Sequence, residues 1–210
     1  MTQPQSSSTS SSQAWLFFRQ WLKNPMSIAA LAPSGAQLAG MMTAELPSEA
    51  GRVIELGAGT GVFTRAMLDS GIAPEQLLVV ELNEELYEHL RTQFPDARVV
   101  CGDACDLTRI VAEKSFARAG QVDAVVSGLG LLNMSRDLQR SIMQSAFGVL
   151  GPGGCFIQFT YSPMPPLARD LLDELGLTVR RGGFAWRNIP PASVFVFSRA
   201  RSERMRAVRK

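Results

Sequence analysis

Apolar runs and amphipathic segments alternate along the chain from about residue 52 onward. Runs that are apolar at nearly every position are typical of strands buried on both faces of a sheet. They predict strands at Val53–Leu56, Leu77–Glu81, Val99–Cys101, Ala124–Ser127 and Cys155–Thr160. Helical periodicity between the runs predicts helices at Phe63–Leu68, Asn83–Gln93, Leu107–Ala112 and Arg136–Val149. Because strands and helices alternate, we expect right-handed βαβ units and a parallel sheet.

The C-terminal part of the chain has a different pattern. Leu177–Arg181 and Ser193–Ser198 are strand-like stretches separated by a connection that contains glycine and proline. Such a pair is typical of antiparallel strands that close a sheet. The sequence therefore predicts an α/β fold with a mostly parallel, seven-stranded sheet and helices on both faces.

The N-terminal region predicts two helices before the sheet begins. The first covers about residues 14–22, where Trp15, Phe18 and Trp21 share one side of the helical wheel and Arg19 and Lys23 share the other. The second is expected to begin at Ser34, because Ser34 and Gln37 have the spacing of a capping box, and to end by Pro47.

Composition divides the chain into four parts. Residues 1–13 are rich in serine, glutamine and threonine and form a leader that we expect to be disordered. Residues 14–50 form the N-terminal helical segment, and residues 51–198 form the α/β domain. Residues 199–210 form a basic tail with a net charge of +5, so the rest of the chain carries about −3 of the overall +2. A basic end favours an anionic surface, either nucleic acid or phospholipid headgroups.

Cysteine usage and the N-terminus bear on the compartment. The three cysteines form no CxxC pair and are odd in number, which argues against disulfides and a metal site and suits a reducing compartment. The N-terminus has no basic and apolar signal pattern, and no apolar run reaches the roughly 18 residues that a spanning helix needs. We expect a cytoplasmic protein.

A glycine-rich turn follows the first predicted strand. The segment Glu55-Leu56-Gly57-Ala58-Gly59-Thr60-Gly61 has the pattern E-x-G-x-G-x-G, and Val62 stands where a dinucleotide fingerprint needs a glycine or another small residue. This spacing resembles motif I of the class I S-adenosylmethionine-dependent methyltransferases. The resemblance implies a Rossmann-like fold, S-adenosylmethionine as cofactor and no metal. It also implies that Leu150-Gly151-Pro152-Gly153-Gly154 is the structural turn before the fifth strand.

The same resemblance implies a set of cofactor-binding residues at the carboxyl ends of the strands. Glu81 would accept hydrogen bonds from the ribose hydroxyls, or it is a solvated acid at a helix start. Asp103 would meet the adenine amino group, or it only caps a turn. The expected set is Glu55, Gly57, Gly59, Gly61, Glu81, Leu82, Asp103, Ala104 and Ser127.

A narrower resemblance is to the bacterial phospholipid N-methyltransferases, which convert phosphatidylethanolamine stepwise to phosphatidylcholine. The segments that carry it include Phe18–Pro25, Ile28–Ser34, Val53–Thr64, Asp123–Leu129, Leu132–Met134, Gln158–Tyr161 and Trp186–Pro191. It implies a phospholipid substrate and peripheral association with the inner leaflet of the cytoplasmic membrane, and no nucleic-acid partner. Trp15, Phe18, Arg19, Trp21 and Lys23 would contact the membrane, although an amphipathic helix can also pack on the domain core.

Candidate catalytic residues follow from the expected acceptor. Tyr161 would orient the amine, or it is an aromatic residue of the core. Ser127 lies at the end of strand four, and Arg187 would bind the lipid phosphate, with Arg180 and Arg181 as alternatives. The ribosomal RNA adenine dimethylases carry N-[IL]-P-[FY] after strand four, whereas this chain has Ser127-Gly128-Leu129-Gly130, a small and flexible loop without an aromatic ring. Methylation of RNA or of a small amine, and a catalytically idle cofactor-binding module, remain the alternatives.

Overall fold

The computed structural model describes residues 32–186 and 191–200. Its first element is helix α1, Ala32–Thr43. This helix begins two residues before Ser34, so the predicted N-cap at Ser34 is wrong. The earlier start is compatible with Pro33, because backbone N–H groups in the first turn of a helix have no acceptor within the helix, so a proline there costs no hydrogen bond.

Seven strands form one sheet, as the sequence predicts. They are β1 (Val53–Leu56), β2 (Leu77–Glu81), β3 (Arg98–Cys101), β4 (Val122–Ser127), β5 (Leu150–Thr160), β6 (Leu177–Ala185) and β7 (Ala192–Arg199). Their order in the sheet is β3-β2-β1-β4-β5-β7-β6. Strands β1 to β5 pair in parallel, and β7 is antiparallel to both β5 and β6. The predicted Rossmann-like α/β fold is confirmed.

Helices connect the parallel strands. They are α2 (Val62–Asp69), α3 (Glu84–Gln93), α4 (Leu107–Glu113), α5 (Arg136–Val149) and α6 (Arg169–Glu174), with short 3-10 helices at Pro74–Gln76, Ala104–Asp106 and Leu131–Asn133. The first four agree with the predicted helices to within one residue at each end. Helix α6 is not predicted from the sequence, because its six residues are too few to show a clear helical period.

The segment Leu150–Gly154 belongs to strand β5 and is not a free turn. Leu150 pairs with Val122, and the register then shifts so that Ala124 faces Cys155. A Cβ at Gly151 would lie 2.9 Å from the carbonyl oxygen of Gly120. The glycines therefore let the two strands stay close across the register shift. In the sequence, this irregular segment resembles a turn.

Two cores cover the two faces of the sheet. One lies between the sheet and α4, α5 and α6, and the other lies under α1, α2 and α3. Helix α1 places the side chains of Leu38, Ala39 and Met42 in buried positions. Residues 35–43 thus share a core with the domain that was predicted to begin at residue 51. Among the described residues, no helix has the length and apolar content needed to cross a bilayer.

Candidate functional site

The glycine-rich turn connects β1 to α2 at the carboxyl edge of the sheet. Gly57, Gly59 and Gly61 have φ values of 66°, 58° and 81°, in the left-handed region that side chains disfavour. A Cβ at Gly57 would also lie 2.6 Å from Cδ2 of Leu129. Gly57 is half-buried, and Gly59 and Gly61 are buried. Because these residues carry no side chain, the turn itself adds no bulk between its backbone and a ligand.

Glu81 ends strand β2 beside this turn and is almost fully buried. Its Oε2 accepts a hydrogen bond from the backbone N–H of Gly59 at 2.9 Å, and its Oε1 accepts one from Asn83 at 3.0 Å. The carboxylate therefore ties the glycine turn to the start of α3. Each oxygen has a second lone pair, so Glu81 can still accept hydrogen bonds from hydroxyl groups of a ligand.

Glu55 lies in strand β1, two residues before Gly57, and its side chain is fully buried. Its Oε2 accepts a hydrogen bond from the hydroxyl of Thr64, while its buried Oε1 has no partner among the described residues. Burial raises the pKa of Glu55 to about 8, although the hydrogen bond from Thr64 acts in the opposite direction. A buried carboxyl with an unsatisfied oxygen is stabilised when a cationic donor meets it.

The third predicted contact region follows strand β3. Asp103 is exposed, and its Oδ1 accepts a hydrogen bond from the backbone N–H of Cys105 at 2.8 Å, which caps the 3-10 helix that includes Ala104. This capping role was the alternative to an adenine contact, and its second oxygen remains able to accept a hydrogen bond. Leu82, after β2, is 68% exposed. Its side chain offers an apolar surface next to Glu81.

Ser127 ends strand β4 and is fully buried. Its Oγ accepts a hydrogen bond from the backbone N–H of Leu129 at 3.3 Å. Gly128 lies so close to the glycine turn that a Cβ would be 2.5 Å from the carbonyl oxygen of Gly57. The loop after β4 therefore contacts the turn directly. The structure brings together Ser127, the three glycines, Glu55 and Glu81 at one edge.

Three aromatic rings line the region between α2 and the end of β5. The ring of Phe159 lies edge-on to Phe63, with centroids 5.6 Å apart, and edge-on to Tyr161, with centroids 5.5 Å apart. All three are half-buried. Of these three rings, only Tyr161 is a site residue predicted from the sequence. The position of Phe63, directly after the glycine turn and Val62, was a signal that could have identified the second ring.

The alternative phosphate ligands on β6 have other contacts. Arg180 forms an ion pair with Glu45 at 2.7 Å. Arg181 donates a hydrogen bond to the carbonyl oxygen of Pro163 and lies over the ring of Phe195. Arg187 lies outside the described residues. So do the predicted membrane contacts Trp15, Phe18, Arg19, Trp21 and Lys23 and the basic segment 201–210.

The described residues fit S-adenosylmethionine. The unsatisfied Oε1 of Glu55 suits a ligand ammonium group, the glycine turn adds no side chains of its own, and Glu81 suits ribose hydroxyls. S-adenosylmethionine carries both an ammonium group and ribose hydroxyls.

Comparison with known proteins identifies the family. Residues 53–154 match a family described as Methyltransferase domain. Over 187 residues the chain is 34% identical to the ornithine lipid N-methyltransferase of Singulisphaera acidiphila, and the match covers 86% of this chain and 93% of that protein. The chain belongs to the bacterial lipid N-methyltransferases. As a class I S-adenosylmethionine-dependent methyltransferase, it uses S-adenosylmethionine as methyl donor.

Solved structures of other methyltransferases share the fold of this chain. The 1,6-didemethyltoxoflavin-N1-methyltransferase of Burkholderia thailandensis, with bound S-adenosylhomocysteine, has a TM-score of 0.62 at 15% identity and covers 96% of this chain and 94% of its own. The glycopeptide N-methyltransferase MtfA, complexed with S-adenosylmethionine, has a TM-score of 0.59 at 19% identity and covers 79% of this chain and 94% of its own.

A local similarity links the chain to an RNA-modifying enzyme. Over 52 residues it is 40% identical to the ribosomal RNA small subunit methyltransferase A of Maridesulfovibrio salexigens, which is 25% of this chain and 19% of that protein. The match covers a quarter of this chain, so it carries no conclusion about the acceptor.

Proposed function

We propose that this enzyme methylates the amine nitrogen of phosphatidylethanolamine, and of its mono- and dimethyl forms, at the membrane surface. The observation that carries the choice of a lipid acceptor is the similarity to a lipid N-methyltransferase over 93% of that relative's length. Similarity of this extent includes regions outside the glycine turn, which all class I enzymes share. The choice of phosphatidylethanolamine as the acceptor rests on the segments that resemble the phospholipid N-methyltransferases.

The proposed site residues act by binding and orienting the two reactants. Gly57, Gly59 and Gly61, with Glu55 and Glu81, hold the methyl donor, and Leu82, Asp103 and Ala104 line its adenine end. Bound S-adenosylmethionine supplies an electrophilic methyl group, which the neutral amine nitrogen takes while the sulfur keeps the bonding electron pair. Methyl transfer of this kind depends chiefly on alignment of the reactants and exclusion of water.

The acceptor amine must lose a proton before it reacts. An ammonium that moves from water into a partly buried site has a lower pKa, because burial disfavours its charged form, and a nearby positive charge acts in the same direction. Ser127 and the loop after it provide small residues where the amine would lie. The half-buried ring of Tyr161, supported by Phe159 and Phe63, would face the amine and its methylated cationic products through a cation–π contact.

The proposed headgroup and membrane contacts come from the sequence pattern. Arg187 would bind the lipid phosphate through paired hydrogen bonds. Trp15, Phe18 and Trp21 would enter the interface while Arg19 and Lys23 meet the headgroups. Liposome flotation of a variant that begins at Pro25 tests whether this helix is the membrane anchor. The variant should float less than the full chain, and equal flotation would show that the helix is not the anchor.

Ornithine lipid is the second candidate acceptor, favoured by the activity named for the relative. The headgroup ornithine also presents an amine but carries no phosphate. Arg187→Ala should therefore raise the apparent KM for phosphatidylethanolamine and leave methylation of ornithine lipid unchanged. Cofactor binding should stay the same in both cases.

The experiment is methylation with labelled donor of separate pools of phosphatidylethanolamine vesicles, ornithine lipid vesicles and ribosomal RNA, with thin-layer chromatography of the lipids. We expect labelled mono-, di- and trimethylated ethanolamine lipids. Label in the ornithine lipid pool alone would replace the acceptor, and label in RNA alone would reject a lipid acceptor. Glu81→Ala supplies a matched chain with weakened donor binding, so at a subsaturating donor concentration it should transfer less label, and label that it transfers as well as the wild type is background.

A further inference from the structure

Gln158 is a polar residue at a position that the sheet would otherwise fill with an apolar side chain. It lies on β5, fully buried, opposite Ser127 of β4 and Phe195 of β7. Its neighbours along the strand, Phe156 and Ile157, are buried and apolar. Burial of an amide costs free energy unless its hydrogen bonds are replaced.

The contacts of the amide fix its orientation. Nε2 donates to the carbonyl oxygen of Leu129 at 2.8 Å and to that of Phe159 at 2.6 Å. Both acceptors are carbonyl oxygens, which cannot donate, so the nitrogen must face them. The other amide atom, Oε1, is buried and has no partner among the described residues. The side chain therefore holds the backbone of Leu129 and of Phe159 through its amide nitrogen alone.

The bond to Leu129 acts on the loop between strand β4 and the donor site. The side chain of Leu129 occupies the space where Gly57 lacks a Cβ, and Gly128 donates its backbone N–H to the carbonyl oxygen of Leu56 at 2.8 Å. A second buried amide, that of Gln139, donates to the carbonyl oxygen of Leu131 at 2.7 Å. The loop that the sequence pattern predicted to be flexible is thus held by side chains on β5 and α5.

We propose that Gln158 is a positioning residue for the acceptor amine. Through Leu129 it holds the loop after β4 in one place against the glycine turn, so that the amine meets the methyl donor in line. The inference rests on the proposed function, because it assumes that the acceptor binds at this loop. A displacement of about 1 Å in such a wall is enough to slow methyl transfer while the donor still binds.

Gln158→Met tests the proposal, because methionine fills similar space and removes the hydrogen bonds to the carbonyl oxygens of Leu129 and Phe159. We expect a melting temperature close to that of the wild type, because the two lost hydrogen bonds oppose the gain from replacing a buried amide with an apolar side chain, and an affinity for S-adenosylmethionine within about twofold. We expect kcat/KM for the amine lipid to fall by roughly tenfold or more. Gln121→Met, at an exposed glutamine before β4, should leave all three quantities unchanged.

Gln158→Glu supplies a readout that a purely structural role would not move. A protonated carboxyl can donate one hydrogen bond to Leu129, whereas the ionised form cannot, and burial raises the pKa of the introduced group. The activity of this variant relative to wild type should therefore decline as pH rises, with the melting temperature recorded at each pH to separate unfolding from lost alignment.

Three results bear on the two proposals separately. Wild-type enzyme that methylates no amine lipid rejects the proposed function. Wild-type enzyme that methylates lipid, with Gln158→Met within twofold of it, overturns the positioning role. A loss of activity in Gln158→Met that is matched by lost donor affinity and a lower melting temperature overturns it as well, since Gln158 would then serve the fold alone.

Discussion

Gly128 lies against Gly57 so closely that a Cβ on Gly128 would stand 2.5 Å from the carbonyl oxygen of Gly57. The backbone cannot yield there without moving the glycine turn, so Gly128→Ala should reduce the affinity for S-adenosylmethionine. We expect a loss of roughly tenfold, the size of one displaced hydrogen-bonding contact. Isothermal titration calorimetry measures it.

Gly153→Ala is the matched change for that experiment. A Cβ at Gly153 meets no atom within 4 Å, so its donor affinity should equal that of the wild type. If Gly128→Ala also binds the donor normally, the contact between the two loops does not shape the donor site.

Glu81→Ala should weaken donor binding more severely. The change removes the acceptor for the N–H groups of Gly59 and Asn83, and the proposed acceptor for the ribose hydroxyls. Hydrogen bonds to a charged group stabilise by about 1.5–3 kcal/mol, so calorimetry should show a loss of roughly 10- to 100-fold. Glu84→Ala, at an exposed acid three residues along the chain, should show none, and similar affinities in the two variants would remove Glu81 from the site.

Glu55 makes the stability of the donor-free enzyme depend on pH. Because burial raises its pKa from 4.5 to about 8, the folded chain keeps a proton that the unfolded chain releases between these values. The free energy of unfolding should therefore fall as pH rises through this range and level off above it. Urea denaturation of wild type and Glu55→Gln checks this: the variant should lack this decline and be the more stable protein near about pH 9.

Donor binding provides a second measurement at the same residue. An ammonium group near Glu55 favours the carboxylate, so binding below about pH 8 should release a proton. Calorimetry in buffers with different ionisation enthalpies detects that proton. Equal binding enthalpies in all buffers for wild type, or the same proton release in Glu55→Gln, would contradict the assignment of Glu55 to the ammonium group.

Tyr161 should act on the acceptor through its ring. Tyr161→Phe keeps the edge contact with Phe159 and should lower kcat/KM for the amine lipid by less than about threefold, whereas Tyr161→Ala should lower it by roughly tenfold. Donor affinity should be unchanged in both, and Tyr87→Phe on α3 is the control. Equal losses in Phe and Ala would assign the effect to the hydroxyl group.

Much of the fold could be predicted because its signals are local. The buried strands at Val53–Leu56 and Leu77–Glu81 are nearly continuous apolar runs, and helix Arg136–Val149 carries a long amphipathic period, so each element is specified by neighbours in sequence. The glycine turn was recognisable for the same reason, since its left-handed conformations require glycine at fixed spacing.

The contacts that join the site depend on residues far apart in the chain. Glu81 meets Gly59, Gln158 meets Leu129, and Phe63 meets Phe159 only after the parallel strands have placed their carboxyl ends at one edge. The family resemblance also implied a turn at Leu150–Gly154, where the structure has a strand, because the close approach of Gly120 is a contact that the sequence does not show. Periodicity reports which face of an element is buried, whereas hydrogen-bond partners and unsatisfied atoms such as Oε1 of Glu55 exist only once distant segments have packed together.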